Sequence, residues 1–143
     1  MKTNKLLVSL CLAAMAVPFL TSCDRIEEIV QTPEISTGVF VLNEGKFKWN
    51  NASITYYDFA TGFASADLFL DKNNRGLGDT GQDMIKYGSN LYIAVYKSSL
   101  IEVVNAKTGV SIKSIPMVNA LNEPTSPRTL TAANGKVYIV LYD

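Results

Sequence analysis

Apolar and polar residues alternate with a period of two through most of the chain beyond residue 37, the spacing of half-buried strands. Gly38–Leu42 (GVFVL) and Ala52–Asp58 (ASITYYD) are β-rich runs that end at turn residues, and each predicts a strand. Phe63–Leu70, entered through Thr61-Gly62, is expected to be the next. The fullest pattern is Asp83 to Pro116. There Asp83–Tyr87, Leu91–Tyr96, Ser99–Asn105 and Val110–Ile115 predict four consecutive antiparallel strands. Arg128–Ala132 and Val137–Tyr142 predict two more before the sequence ends at Asp143.

These runs repeat. A slide of 46 places Tyr92 on Tyr138, Ile93 on Ile139 and Tyr96 on Tyr142, with Gly88 on Asn134 inside matching turns. Backwards, the same slide puts Ser99 on Ser53 and Ile101 on Thr55, while 47 puts Asn105 on Asp58 and Thr108-Gly109 on Thr61-Gly62. A four-stranded repeat of roughly 40–50 residues is the signature of a β-propeller blade. The expected fold class is therefore all-β: four-stranded antiparallel blades, about two of them, in an incomplete ring. The blades are expected over residues 38–70, 83–116 and, in part, 128–143. A blade buries its faces only against neighbours. Since the first unit lacks an innermost strand and the last stops after two strands, the chain reads as the front part of a longer protein. A small domain that assembles into a ring and a non-functional remnant are the competing expectations.

Residues 1–22 read as a secretory leader: Lys2 and Lys5, the apolar run Leu6–Leu20, then small polar residues. The run is too short for a stable membrane span. It ends Leu20-Thr21-Ser22-Cys23, which resembles the lipobox of bacterial lipoproteins, with Cys23 the lipidated new N-terminus. The expected product is tethered to the outer membrane by acyl chains, several of which anchor stably where one does not. A cell-surface position is expected, with a periplasm-facing one as the alternative. Residues 23–37 then form the lipidated Cys and tether, in which Thr32-Pro33 ends any helical turn begun by Ile26, Ile29 and Val30.

Composition narrows the chemistry. Basic and acidic residues number 13 each, and loss of Lys2 and Lys5 with the leader leaves 11 against 13, so no basic field exists to hold nucleic acid. Histidine is absent from the sequence, which removes His bases and His metal ligands. The two cysteines, Cys11 and Cys23, lie in or at the end of the leader, so neither a disulfide nor a Cys metal site is expected in the folded part. No catalytic residue and no cofactor is expected.

Connections in a four-stranded blade alternate between the two ends of the sheet. One end should therefore collect Asn43–Asn51, Asn73–Gln82, Tyr96–Ser98, Asn119–Arg128 and the terminal Tyr142-Asp143. The first of these loops exceeds its counterpart, Lys97-Ser98, by about six residues and carries the sole tryptophan. Aromatics mixed with adaptable amides suit a large polar ligand, and the candidate binding residues are Asn43, Glu44, Trp49, Asn50, Gln82, Asp83, Tyr96, Lys97, Arg128 and Tyr142. Asn and Gly are also common in loops for backbone reasons alone.

Three motif matches fail on context. Gly76-Leu77-Gly78-Asp79-Thr80-Gly81 fits G-x-G-x-x-G but leads into a strand, so no helix N-terminus can receive a pyrophosphate. Asp79-Thr80-Gly81 spells an aspartic-protease triplet without a second carboxylate to share its proton. Asp71–Gly76 begins like a calcium loop, yet Arg75 and Gln82 stand where oxygen ligands belong.

Phe40-Val41-Leu42-Asn43-Glu44-Gly45, Ala52–Asp58, Gly81-Gln82-Asp83-Met84 and Leu91–Val95 together resemble the YncE-like surface lipoprotein propellers of the Bacteroidetes. The resemblance covers essentially everything after the tether. It implies a seven-bladed ring, and a lipoprotein that captures cobalamin or a related corrinoid and passes it to a TonB-dependent outer-membrane transporter. Asp24, Glu27 and Glu28 are similar to the acidic surface-export tag of such lipoproteins. A propeller enzyme of the quinoprotein dehydrogenase or lactonase kind, dependent on a metal or a quinone, is the alternative, for which Glu44, Asp83 and Glu123 are the carboxylates expected on the candidate end.

Overall fold

A computed structural model describes residues 37–142. The leader, the lipobox residues Leu20, Thr21 and Ser22, Cys23, most of the tether and Asp143 lie outside the described residues. Three antiparallel sheets follow one another along the chain. The first is β1 (Gly38–Asn43), β2 (Ser53–Asp58) and β3 (Ala64–Ser65). After a short helix, α1 (Leu68–Asn73), comes the four-stranded sheet β4 (Gly81–Tyr87), β5 (Asn90–Val95), β6 (Leu100–Asn105) and β7 (Ser111–Pro116), each strand paired with the next. β8 (Ser126–Ala133) and β9 (Lys136–Tyr142) form the third. This is the all-β architecture of a partial propeller.

The four-stranded sheet is the middle layer, and its pleat sends alternate side chains to opposite neighbours. Leu91, Ile93, Val95 and Val104 pack with Ile54, Ala52, Phe69 and Leu77 of the preceding segment, with Phe40, Leu42 and Met84 closing the cluster. Ala94, Ile101 and Val103 face the other way and pack with Leu130, Val137 and Ile139 of the third sheet. The innermost strands are also stapled. Asp83 accepts the Leu130 amide at 2.7 Å, and the Tyr87 hydroxyl accepts that of Gly135 at 2.7 Å.

The register of the repeats is visible in their hydrogen bonds. Asp58 Oδ1 accepts the amides of Ala60 and Thr61, and Asn105 Oδ1 accepts those of Lys107 and Thr108. Gly62 and Gly109 then donate to Asp58 and Asn105 carbonyls, both glycines at positive φ. β2 therefore matches β6 at an offset of 47, and Ile101 stands on Ile54, not on Thr55; the slide of 46 is one residue out there. That correction matters because one residue reverses which face of a strand is buried, and Ile54 and Ile101 are both core residues. Between β4–β5 and β8–β9 the offset of 46 holds, down to a bulge at the same place, Gly81/Asp83 and Pro127/Thr129.

A second correction concerns Phe63–Leu70, expected as a strand. Only Ala64–Ser65 pairs with β2, and the rest turns into α1. The stretch has no β-branched residue to favour extension, and it carries its own caps. The Asp67 carboxylate accepts the Leu70 amide, and Asn74 adopts the left-handed conformation and donates to the Leu70 carbonyl. The same helix takes in Asp71–Asn73, so the calcium-like stretch begins on a helix. Phe69 points from α1 into the core, 0 % exposed.

Behind α1 lies an ionic cluster built on a buried carboxylate. Glu102, on β6, is 0 % exposed and pairs with Arg75 at 2.8 Å; the hydroxyls of Ser111 and Ser114 on β7 donate to its two oxygens. Arg75 also reaches Ser111 at 3.1 Å and lies over the Phe69 ring, 4.8 Å from its centre. Asn73 completes the attachment of α1, donating to Gly109 O and accepting the Ser111 amide.

Candidate functional site

One end of the sheets gathers the loops expected to meet there. Its frame is Gly78–Gly81. The Gly78 carbonyl accepts the Ala52 amide at 3.0 Å, and the Gly81 amide donates to the Glu44 carbonyl at 3.0 Å, so both ends of the β1–β2 loop are clamped. Asp79 Oδ1 accepts the Lys48 amide at 3.0 Å and the Thr80 hydroxyl at 2.8 Å, while the Asp79 amide donates to the Ser98 hydroxyl at 2.9 Å. A single acidic residue thus joins the β1–β2 loop to the β5–β6 turn. Gly78 has φ +134°, and a Cβ there would lie 2.7 Å from Ser98 Oγ and 2.8 Å from Val95 Cγ1. Gly78→Ala is therefore expected to cost about 1–3 kcal/mol, read as a lower urea midpoint with an unchanged slope; an unchanged midpoint would show that the frame is softer than the geometry implies.

The β1–β2 loop spans nine residues, 44–52, against four, 96–99, between β5 and β6, an excess of five rather than six. Asn51 Oδ1 holds the Lys46 amide, and Lys48 and Asn50 both take positive φ, which presents Phe47 and Trp49 outward, 52 % and 63 % exposed. The Lys46 ammonium sits 3.8 Å from the centre of the Trp49 ring. Lys48 and Lys97 approach the Phe47 ring at 5.6 and 5.9 Å. Next to Lys97 in the turn, Tyr96 carries the Arg128 guanidinium at 5.4 Å, and Arg128 lies 5.6 Å from Tyr142. The result is a strip of rings and cations in three groups, Lys46 on Trp49, Lys48 and Lys97 on Phe47, and Arg128 by Tyr96 and Tyr142, drawn from all three sheets.

Of the residues picked from sequence, Trp49, Tyr96, Lys97, Arg128 and Tyr142 belong to this strip. Others serve the frame instead. The Asn43 amide donates to Ser53 and Thr55 hydroxyls, the Glu44 carbonyl is one of the clamps, and Asp83 spends its carboxylate on the amides of Met84 and Leu130. Asn50 supplies a left-handed backbone. Gln82 sits half-buried at the β4 bulge. Lys46, Phe47 and Lys48 join the strip without having been singled out, although the alternation Lys-Phe-Lys-Trp in an extended loop is the signal that marks them. Glu123 holds the Asn119 amide group in its own loop. No cluster of three potential metal ligands exists among the described residues.

A search of curated proteins finds no match to the chain. Among protein families, one described as a domain of unknown function, DUF5074, matches residues 37–140, from the start of the first sheet almost to the end of the third. The chain belongs to the DUF5074 family.

Proposed function

We propose that the protein is a lipid-anchored surface lipoprotein whose blades form a binding scaffold, capturing a nutrient for a TonB-dependent outer-membrane transporter. The observation that carries this reading is the ring-and-cation strip at one end of the sheets. Rings that cost little side-chain entropy to order, beside cations, are the side chains that concentrate binding energy in interfaces. The lipobox-like Leu20-Thr21-Ser22-Cys23 supports the anchor. A corrinoid is the first ligand to test, since the YncE-like resemblance points to it and its flat macrocycle and polar periphery match rings flanked by cations and amides.

Isothermal titration calorimetry of the full chain in detergent with cyanocobalamin is expected to show saturable one-to-one binding. Trp49→Ala and Arg128→Ala should each weaken it at least about ten-fold, the loss of a buried ring or cation contact worth upward of ~1.4 kcal/mol. Absence of binding heat sinks the corrinoid reading.

A further inference from the structure

We infer that the ligand of the strip carries an anionic group, a phosphate or carboxylate, next to a planar ring. This rests on the binding-scaffold reading and narrows it to a chemical class. Lys46, Lys48, Lys97 and Arg128 stand along the strip, and none of them forms a salt bridge among the described residues. The carboxylates on this end that could neutralise them are Asp79, Asp83, Glu123 and the exposed Glu44, and none forms a salt bridge with these cations among the described residues. Asp79 is bonded to the Lys48 amide and the Thr80 hydroxyl, Asp83 to two amides, and Glu123 to Asn119. Each cation instead rests on the face of a ring, an exposed contact of about 0.5–1 kcal/mol that an incoming anion need not break. Lysine ammonium groups keep rotatable donors for such an anion, and the rings beneath them offer a stacking surface.

The placement of Lys48 strengthens the case. Its backbone is held at φ +65° by the bond to Asp79, a conformation disfavoured for a residue with a side chain and sustained here by the frame. The effect is to bring Lys48 and Lys97, from different sheets, onto the same Phe47 ring. Both cations approach that one ring, 5.6 and 5.9 Å from its centre, so an anion seated there can be met from two loops.

Trp49 is the sole tryptophan, so its fluorescence reports on the strip directly. Adenosine 5′-monophosphate and adenosine serve as probes with the same ring, one charged and one neutral. At low salt the monophosphate is expected to quench Trp49 saturably and at least ten-fold more tightly than adenosine. The preference should shrink in 0.5 M NaCl and vanish in Lys48→Gln/Lys97→Gln, two exposed substitutions whose folding is checked by circular dichroism. Equal quenching by both probes, no saturable quenching by either, or an undiminished preference in the folded double variant overturns the inference. The cyanocobalamin titration reads the scaffold separately. Binding there without a preference for the monophosphate overturns the anion class alone, whereas the preference without cyanocobalamin binding supports the anion class and removes the corrinoid.

Discussion

Phe69→Ala is expected to destabilise the fold by about 3–5 kcal/mol, the range for emptying a fully buried aromatic site. The ring is 0 % exposed and packs in the cluster formed by Ile54, Leu77, Leu91, Ile93, Val95 and Val104. Two features place the loss toward the upper part of that range. α1 has only six residues, too few to be helical on its own, so it depends on this anchor. The ring also underlies the Arg75 guanidinium, so removing it loosens the partner of a buried carboxylate. For a domain of about 100 residues each kcal/mol lowers Tm by roughly 4 °C or more, so calorimetry should show a drop of at least ~12 °C. A drop under ~4 °C would mean that α1 can leave without opening the core. Phe69→Leu, which keeps most of the volume, should recover much of the difference.

The second large effect is expected at the ionic cluster. Arg75→Leu leaves the Glu102 carboxylate buried with two serine hydroxyls as donors and no counter-charge. Removing one partner of a buried pair costs about 3–5 kcal/mol. The Arg75 side chain is 45 % exposed, and water can reach part of the gap it leaves, so about 2–3 kcal/mol is expected here. The diagnostic is the double variant. Arg75→Leu/Glu102→Leu removes the stranded charge together with its partner and should be more stable than Arg75→Leu alone, giving a coupling energy of about 1–3 kcal/mol in a denaturant cycle. Simple addition of the two single losses would sink the claim that the pair acts as a unit. Arg75→Lys should restore only part of the loss, because an ammonium lacks the planar face that the guanidinium lays over the Phe69 ring.

Both predictions concern a region that the alternation of residues describes poorly. Period-two patterning is a reading of strands that have one face in a core, and it locates β4–β7 within about two residues. Around Phe63–Leu70 the apolar residues Leu68, Phe69 and Leu70 are consecutive, and consecutive apolar residues do not distinguish a buried strand from a short helix. The deciding signals are polar: Asp67 at one end and Asn74 at the other. Glu102 is similarly hidden from sequence, since a carboxylate among Leu100, Ile101, Val103 and Val104 becomes intelligible once Arg75, 27 residues earlier, is seen to reach it.

The candidate end was legible as a set of loops, because strand order alone dictates which connections share an end. Which side chains remain free there was not. Asn43 and Asp83 are polar, near the right end and internally satisfied, and only the hydrogen-bond partners separate them from Trp49 or Lys97. The phase slip at β2 has a related cause: the Ser53 and Ser99 identity attracts an offset of 46, but the turn chemistry at the other end of the same strand, at Asp58, is built on 47.

The paired turns at Asp58 and Asn105 carry a meaning for descent. Each needs one side-chain oxygen in a fixed place, and a carboxylate or an amide supplies it equally well. Mutation can therefore rewrite these positions, changing charge and spelling, while selection still sees the same turn. Copies of such a unit can drift apart in letters for a very long time and keep one grammar of donors and acceptors, so kinship between blades is better sought in who bonds to whom than in which residues agree.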